Sequence, residues 1–109
     1  MKTVALEQTS DIRNPHGVSA RRLHQSENAD IVHIRLGPGE GLKSHVTPVD
    51  VCFYILEGTP TIEIGDEQQR VEADVLVESP ADVPHRVFNN ADAPARFLVI
   101  KTPGVAKKS

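Results

Sequence analysis

The sequence predicts an all-β chain folded as one sandwich or barrel. Short apolar runs rich in Val, Ile and Leu are broken at close spacing by eight Pro and seven Gly, as in proteins built from many short strands. No run of ten or more residues free of Gly and Pro carries a clean 3.6-residue apolar period, so no helix beyond a short N-terminal turn is expected. Aromatic residues are scarce, with Phe53, Tyr54, Phe88 and Phe97 and no Trp. The core must then be made of aliphatic side chains, which suit strands.

Asn14-Pro15-His16-Gly17 reads as a turn, followed by a first strand from Val18 to His24. From Ala29 to Leu36 the chain alternates, with Val32, Ile34 and Leu36 on one face and His33 and Arg35 on the other. Gly37-Pro38-Gly39 ends that strand. Val51 to Leu56 is a dense apolar strand closed by Gly58-Thr59-Pro60. Thr61–Ile64 and Glu67–Val71 flank Gly65-Asp66, a two-residue hairpin loop. Val75–Val77 is short and apolar, Ser79–Pro84 is turn-rich, and His85–Phe88 is again a strand. Asn89-Asn90 opens a loop to Pro94, and Arg96–Lys101 is the last strand. Phe53, Ile55, Ile62, Ile64, Val87 and Phe97 are the expected core.

The chain of 109 residues fits one domain, and that size buries a core without disulfides. The barrel core is placed at about residues 30–102, with a strand or arm before it and a basic tail at 103–109 carrying Lys107 and Lys108. Residues 31–100 hold eleven Asp and Glu against five Lys and Arg. An acidic body of this kind argues against nucleic acid as the main partner. Cys52 is the one cysteine, which excludes an intrachain disulfide and fits a reducing compartment. Residues 1–10 lack the apolar stretch of a signal peptide, and no apolar run is long enough to span a bilayer. A cytoplasmic protein without a membrane partner is expected.

Two segments carry histidines at suggestive spacing. In the first, Gly39, His45 and Gly58 fall on the pattern G-x5-H-x-H-x3–4-E-x6-G. In the second, Pro80, His85 and Asn89 fall on G-x5-P-x-G-x2-H-x3-N. Together they resemble the two motifs of the cupin family, the small double-stranded β-helix barrels. The resemblance implies an all-β, jelly-roll-like barrel, often a homodimer paired through strand edges, for which Val18–His24 could serve. It also implies a site inside the barrel. Members that bind metal usually use two His and a Glu from the first motif and one His from the second. Here Thr47 and Val51 stand in two of those places, leaving His45 and His85. Thr is a poor transition-metal ligand and Val is none. Asp74 and Asp82 replace motif glycines, and Asp tolerates positive φ better than most residues.

Strand parity sends His45, Thr47, Val51, Phe53 and Ile55 to one face and Asp50, Cys52 and Tyr54 to the other. A bulge at Pro48 would reverse this and offer Asp50 as a carboxylate beside the two histidines. Two His and one carboxylate form a known facial set for iron. His45 and His85 could therefore share a divalent metal (Fe, Mn, Ni or Zn) with Asp50. They could instead bind and protonate a small ligand directly, or simply hydrogen-bond to each other, to Thr47 or to water. Thr47 and Phe53 are the expected ligand contacts. The resulting function is a small-molecule binding module, with a metal-dependent dioxygenase, isomerase or decarboxylase as the alternative. His16, His24 and His33 have no motif register, and His33 is expected at the surface or an interface. Arg86 and Asn89 are expected to flank the pocket mouth, Asn89 chiefly as a turn residue.

Overall fold

The computed structural model describes residues 1–104. The basic tail expected at 103–109 therefore lies mostly outside the described residues. Eight strands form in order: β1 (Ser19–Gln25), β2 (Asp30–Leu36), β3 (Asp50–Glu57), β4 (Thr61–Ile64), β5 (Glu67–Arg70), β6 (Leu76–Ser79), β7 (His85–Phe88) and β8 (Ala95–Thr102). A single 3-10 turn at Leu6–Gln8 precedes them. The strands make a five-stranded sheet in the order β1-β2-β8-β3-β6 and a three-stranded sheet in the order β5-β4-β7. All pairings are antiparallel.

The core lies between the two sheets. Leu36, Ile55, Val87 and Phe97 are fully enclosed, and Val51, Phe53 and Ile62 nearly so. Phe97 stacks edge-on against Phe53, with ring centroids 6.1 Å apart. Burial of this apolar set is the main stabilising term, about 1.5–3 kcal/mol for each large side chain removed from water.

The turn chemistry follows the sequence. Gly65 has φ +59° in the hairpin loop that joins Ile64 to its partner Glu67. Asp74 and Asp82 sit at φ 68° and 65°, so the aspartates adopt the backbone that the motif glycines would otherwise supply. Gly41 is required for a different reason, close approach: a Cβ there would lie 2.7 Å from Phe88 Cβ.

Two expectations change. The sixth strand runs from Leu76 to Ser79, two residues past the apolar run, and Leu76 is exposed on this sheet edge while Ser79 is buried. His33 is not a surface residue: it is 3% exposed, with Nε2 2.9 Å from Arg96 Nη1. Burial is the main cause that lowers its pKa, with Arg96, Arg21 and Arg35 adding to it. The first strand expected at Val18–His24 is present as β1, at one end of the larger sheet. Before it, residues 11 and 12 run along the outer edge of β1, where Ile12 N–H donates to Ala20 O and Asp11 bridges Arg21.

Candidate functional site

The segment before β3 crosses to β7 through an isolated bridge in which His45 and His85 exchange backbone hydrogen bonds of 3.1 and 3.0 Å. That bridge brings residues 40 positions apart into one place. Their imidazoles meet with Nε2 to Nε2 at 3.2 Å and ring planes at 81°.

His85 is held on every side. Ser79 Oγ, from β6, lies 2.8 Å from Nδ1. Thr47 Oγ1 lies 3.3 Å from Nε2. Phe53 meets the ring edge-on at a centroid distance of 5.3 Å. Burial, then the neighbouring His45 and Lys101, push its pKa down to about 4. His85 is therefore neutral at pH 7.

The partners also fix tautomers. Lys43 O, a pure acceptor, lies 2.9 Å from His45 Nδ1, so that nitrogen carries a hydrogen. With His45 neutral, its Nε2 is a bare acceptor, His85 Nε2–H donates to it, and the Ser79 hydroxyl donates to His85 Nδ1. In the alternative arrangement His45 Nε2–H donates to His85 Nε2 and His85 Nδ1–H donates to Ser79; reaching it moves the His85 Nε2 proton onto His45 and needs one added proton at His85 Nδ1.

The histidines open onto a cavity of about 170 Å³ between the sheets. Val32, Ile34, Leu42, Phe53 and Val99 form its apolar wall, and Arg22, Lys101 and His16 its polar rim. His16 lacked any signal in the sequence beyond its place in the Asn14–Gly17 turn. Asn14 Oδ1 accepts from His16 N–H and Nδ2 donates to Ile12 O and Val18 O, which shapes that turn. The ring then reaches across the mouth, where Lys43 N–H donates to its Nδ1 at 2.8 Å and His45 lies 5.1 Å away between centroids. In the neutral ring the remaining hydrogen sits on Nε2.

Other expected residues fall elsewhere. Asp50 is exposed, and its Oδ1 accepts the Ala81 N–H at 2.9 Å. Pro48 does not reverse the strand, because Val51, Phe53 and Ile55 point inward and Cys52 and Tyr54 are only partly buried on the other face. Asp50 is therefore corrected from a candidate ligand to a residue that fixes the turn after β6. Arg86 does not line the cavity: it pairs with Glu63 at 3.2 Å and covers the Phe88 ring. Asn89 is buried and ties Leu36 O, Ala93 O and Ala91 N–H together. Burial, then Glu78 and Asp50, raise the Cys52 pKa, so the thiol stays protonated at neutral pH.

Among the described residues, no group of three or more His, Cys, Asp or Glu could hold a metal ion. Two nitrogens 3.2 Å apart could each reach a common point at about 2.0–2.2 Å. The further donors are missing, since Thr47 bonds to His85, Val51 is apolar and Asp50 faces away. This donor set does not fit a resident four-ligand metal centre.

A family model described as the cupin domain matches residues 32–101. The chain belongs to the cupin family. Its double-stranded β-helix fold is shared with a crystal structure from Thermus thermophilus, TT1209, at 30% identity and a TM-score of 0.81, covering 94% of this cupin and 98% of that chain. A curated relative, the tetracenomycin polyketide synthase protein TcmJ of Streptomyces glaucescens, is 32% identical over 72 residues, 65% of this cupin and 48% of the relative. The chain thus spans about half the length of that protein. The polyketide cyclase RemF of Streptomyces resistomycificus has the same fold, with a TM-score of 0.82 at 20% identity over 94% of this cupin and 79% of that chain. No helix among the described residues is long and apolar enough to cross a membrane.

Proposed function

We propose that this cupin binds a small organic molecule in its barrel cavity, with His45 and His85 meeting the polar end and Phe53 packing against the apolar part. One observation carries the reading. A buried imidazole, kept neutral chiefly by burial and fixed by Ser79, Thr47 and His45, edges a cavity with an apolar wall and a polar rim. Such a combination of apolar walls and a few convergent polar groups is what small-molecule sites present. The cavity of about 170 Å³ is below the usual range for drug-sized ligands, about 300–1,000 Å³. It suits a single ring, or one end of a longer molecule. The names of TcmJ and RemF support an oxygen-bearing carbon skeleton of polyketide type.

A second reading, acid–base chemistry on the bound molecule, draws on the reversible hydrogen-bond chain from His45 through His85 to Ser79. For His45 Nε2 to take a proton from an acidic carbon or hydroxyl, its lone pair must first be released by His85, whose Nε2–H would turn to Thr47 Oγ1; the proton then rests on His45 while His85 stays neutral. The metal-dependent alternative loses its support with Asp50 turned outward. A homodimer paired through β1 would have to use the strand beyond Arg21, since residues 11 and 12 already run along its edge at Ala20 and Arg21.

Ligand-observed NMR with a library of single-ring oxygenated compounds tests the reading. Hits should be lost in Val32→Phe, which fills the cavity, and weakened at least about tenfold in His45→Ala. Unchanged affinity in both folded variants would remove the barrel cavity from consideration.

A further inference from the structure

The cavity carries a charge opposite to that of the chain around it. The protein has a net charge of -3 at pH 7, yet the cavity lining contains Arg22 and Lys101 and no Asp or Glu. The two cations sit in one corner. Arg22 pairs with Val32 across β1 and β2, Val32 pairs with Val99 on β8, and Lys101 follows on the same face of β8. Among the described residues, Arg22 enters none of the three ion pairs, which belong to Arg21, Arg86 and Arg96.

Lys101 is half-buried and directly opposite Asp30 in the β2–β8 register. Burial lowers its pKa and Arg22 lowers it further, while Asp30 acts the other way. One carboxylate therefore faces two cations, and the corner retains a surplus positive charge. Desolvating a cation is unfavourable unless a counter-charge arrives. The His16 ring adds a donor at Nε2 on the same rim when neutral. The same cavity has an apolar wall that includes Ile34, Leu42 and Phe53.

We propose that the ligand is a small organic acid held as its carboxylate at Arg22 and Lys101, with its apolar body against Phe53 and Ile34. This assignment rests on the reading of the barrel cavity as a small-molecule site, and it adds the ligand's charge. It places the carboxylate at the mouth and a second oxygen of the ligand, where present, within reach of the histidine pair.

Matched acid and amide probes separate charge from shape. Benzoate against benzamide and phenylacetate against phenylacetamide are measured by calorimetry at pH 7 and low salt. The acid of each pair should bind at least about tenfold more tightly. Arg22→Gln, at the exposed mouth where folding is not at stake, should weaken the acids about fivefold and leave the amides unchanged. Lys101→Met should remove most of the remaining preference. Val32→Phe should abolish binding of both members.

Amides that bind as well as acids would overturn the carboxylate assignment and leave the cavity as a binding site for neutral molecules. Acids that bind undiminished to Val32→Phe would locate them outside the barrel and overturn it as well. Failure of every probe, charged or neutral, would take down this inference. Failure of the whole library of single-ring oxygenated compounds too would take down the small-molecule reading on which it rests.

Discussion

Protonation of His85 should be costly enough to dominate the acid limb of the stability curve. The ordinary imidazole pKa is 6.5, and in the fold His85 is pushed down to about 4. Between those two values the unfolded chain holds a proton that the folded protein refuses. Unfolding is therefore favoured as pH falls through this window, and the contribution is fully present above 6.5 and fully lost below about 4. The gap, at about 1.4 kcal/mol for each pH unit, is worth about 3 kcal/mol. His85 is 3% exposed, so solvent screening does little to reduce this. His16 and His33 also have lowered pKa values and act in the same direction, so the wild-type curve alone would not isolate His85. The comparison is with His85→Gln, which cannot titrate. Urea unfolding followed by circular dichroism at intervals from pH 7 to pH 4 should show the wild type losing about 3 kcal/mol more than the variant. Parallel curves would refute the reasoning, as would an NMR titration that places the His85 midpoint near 6.5.

Three further outcomes follow from local geometry. Gly41→Ala should destabilise by about 1–3 kcal/mol through the clash with Phe88, and Gly58→Ala by more, because its φ of +83° adds backbone strain to a contact with Pro94 O; thermal unfolding ranks the two. Asn89→Ala should cost about 3 kcal/mol in chemical denaturation, since it strips partners from two carbonyls and an N–H around a buried loop. Asp50→Ala should cost no more than about 1 kcal/mol and leave ligand affinity unchanged by calorimetry, whereas a ligand-contacting carboxylate would show a clear loss.

The sequence made the strands legible where alternation was strong. In β3 the apolar parity alone placed Val51, Phe53 and Ile55 inside and Asp50 outside. The hairpin at Gly65-Asp66 was equally plain, because its turn needs a residue of positive φ. Pattern reasoning failed where polarity serves a site or a distant partner. Ser79 looked like the start of a turn but is the buried partner of His85, and the short apolar run at Val75–Val77 does not mark a buried strand, since Val75 and Leu76 are exposed. His33 looked external because its neighbour Arg35 is, yet Arg96, 63 residues away, encloses it. His16 reached the cavity through a turn, where no strand or helix period applies. Such contacts are set by closure of the barrel, and local sequence does not encode them.

The inward Lys101 also bears on how β8 finds its place. Phe97, Leu98, Val99 and Ile100 are apolar without interruption, so hydrophobic alternation cannot tell this strand which face to bury. The charges at its two ends can. Arg96 reaches outward to Glu57 at 2.9 Å, and Lys101 turns inward opposite Asp30. A slip of one residue would exchange these fates, driving the Arg96 guanidinium into the barrel and leaving Asp30 facing Ile100. The polar corner that recruits an anion would thus double as the alignment mark for the central strand, and a mutation that neutralises Lys101 would loosen strand register as well as recognition.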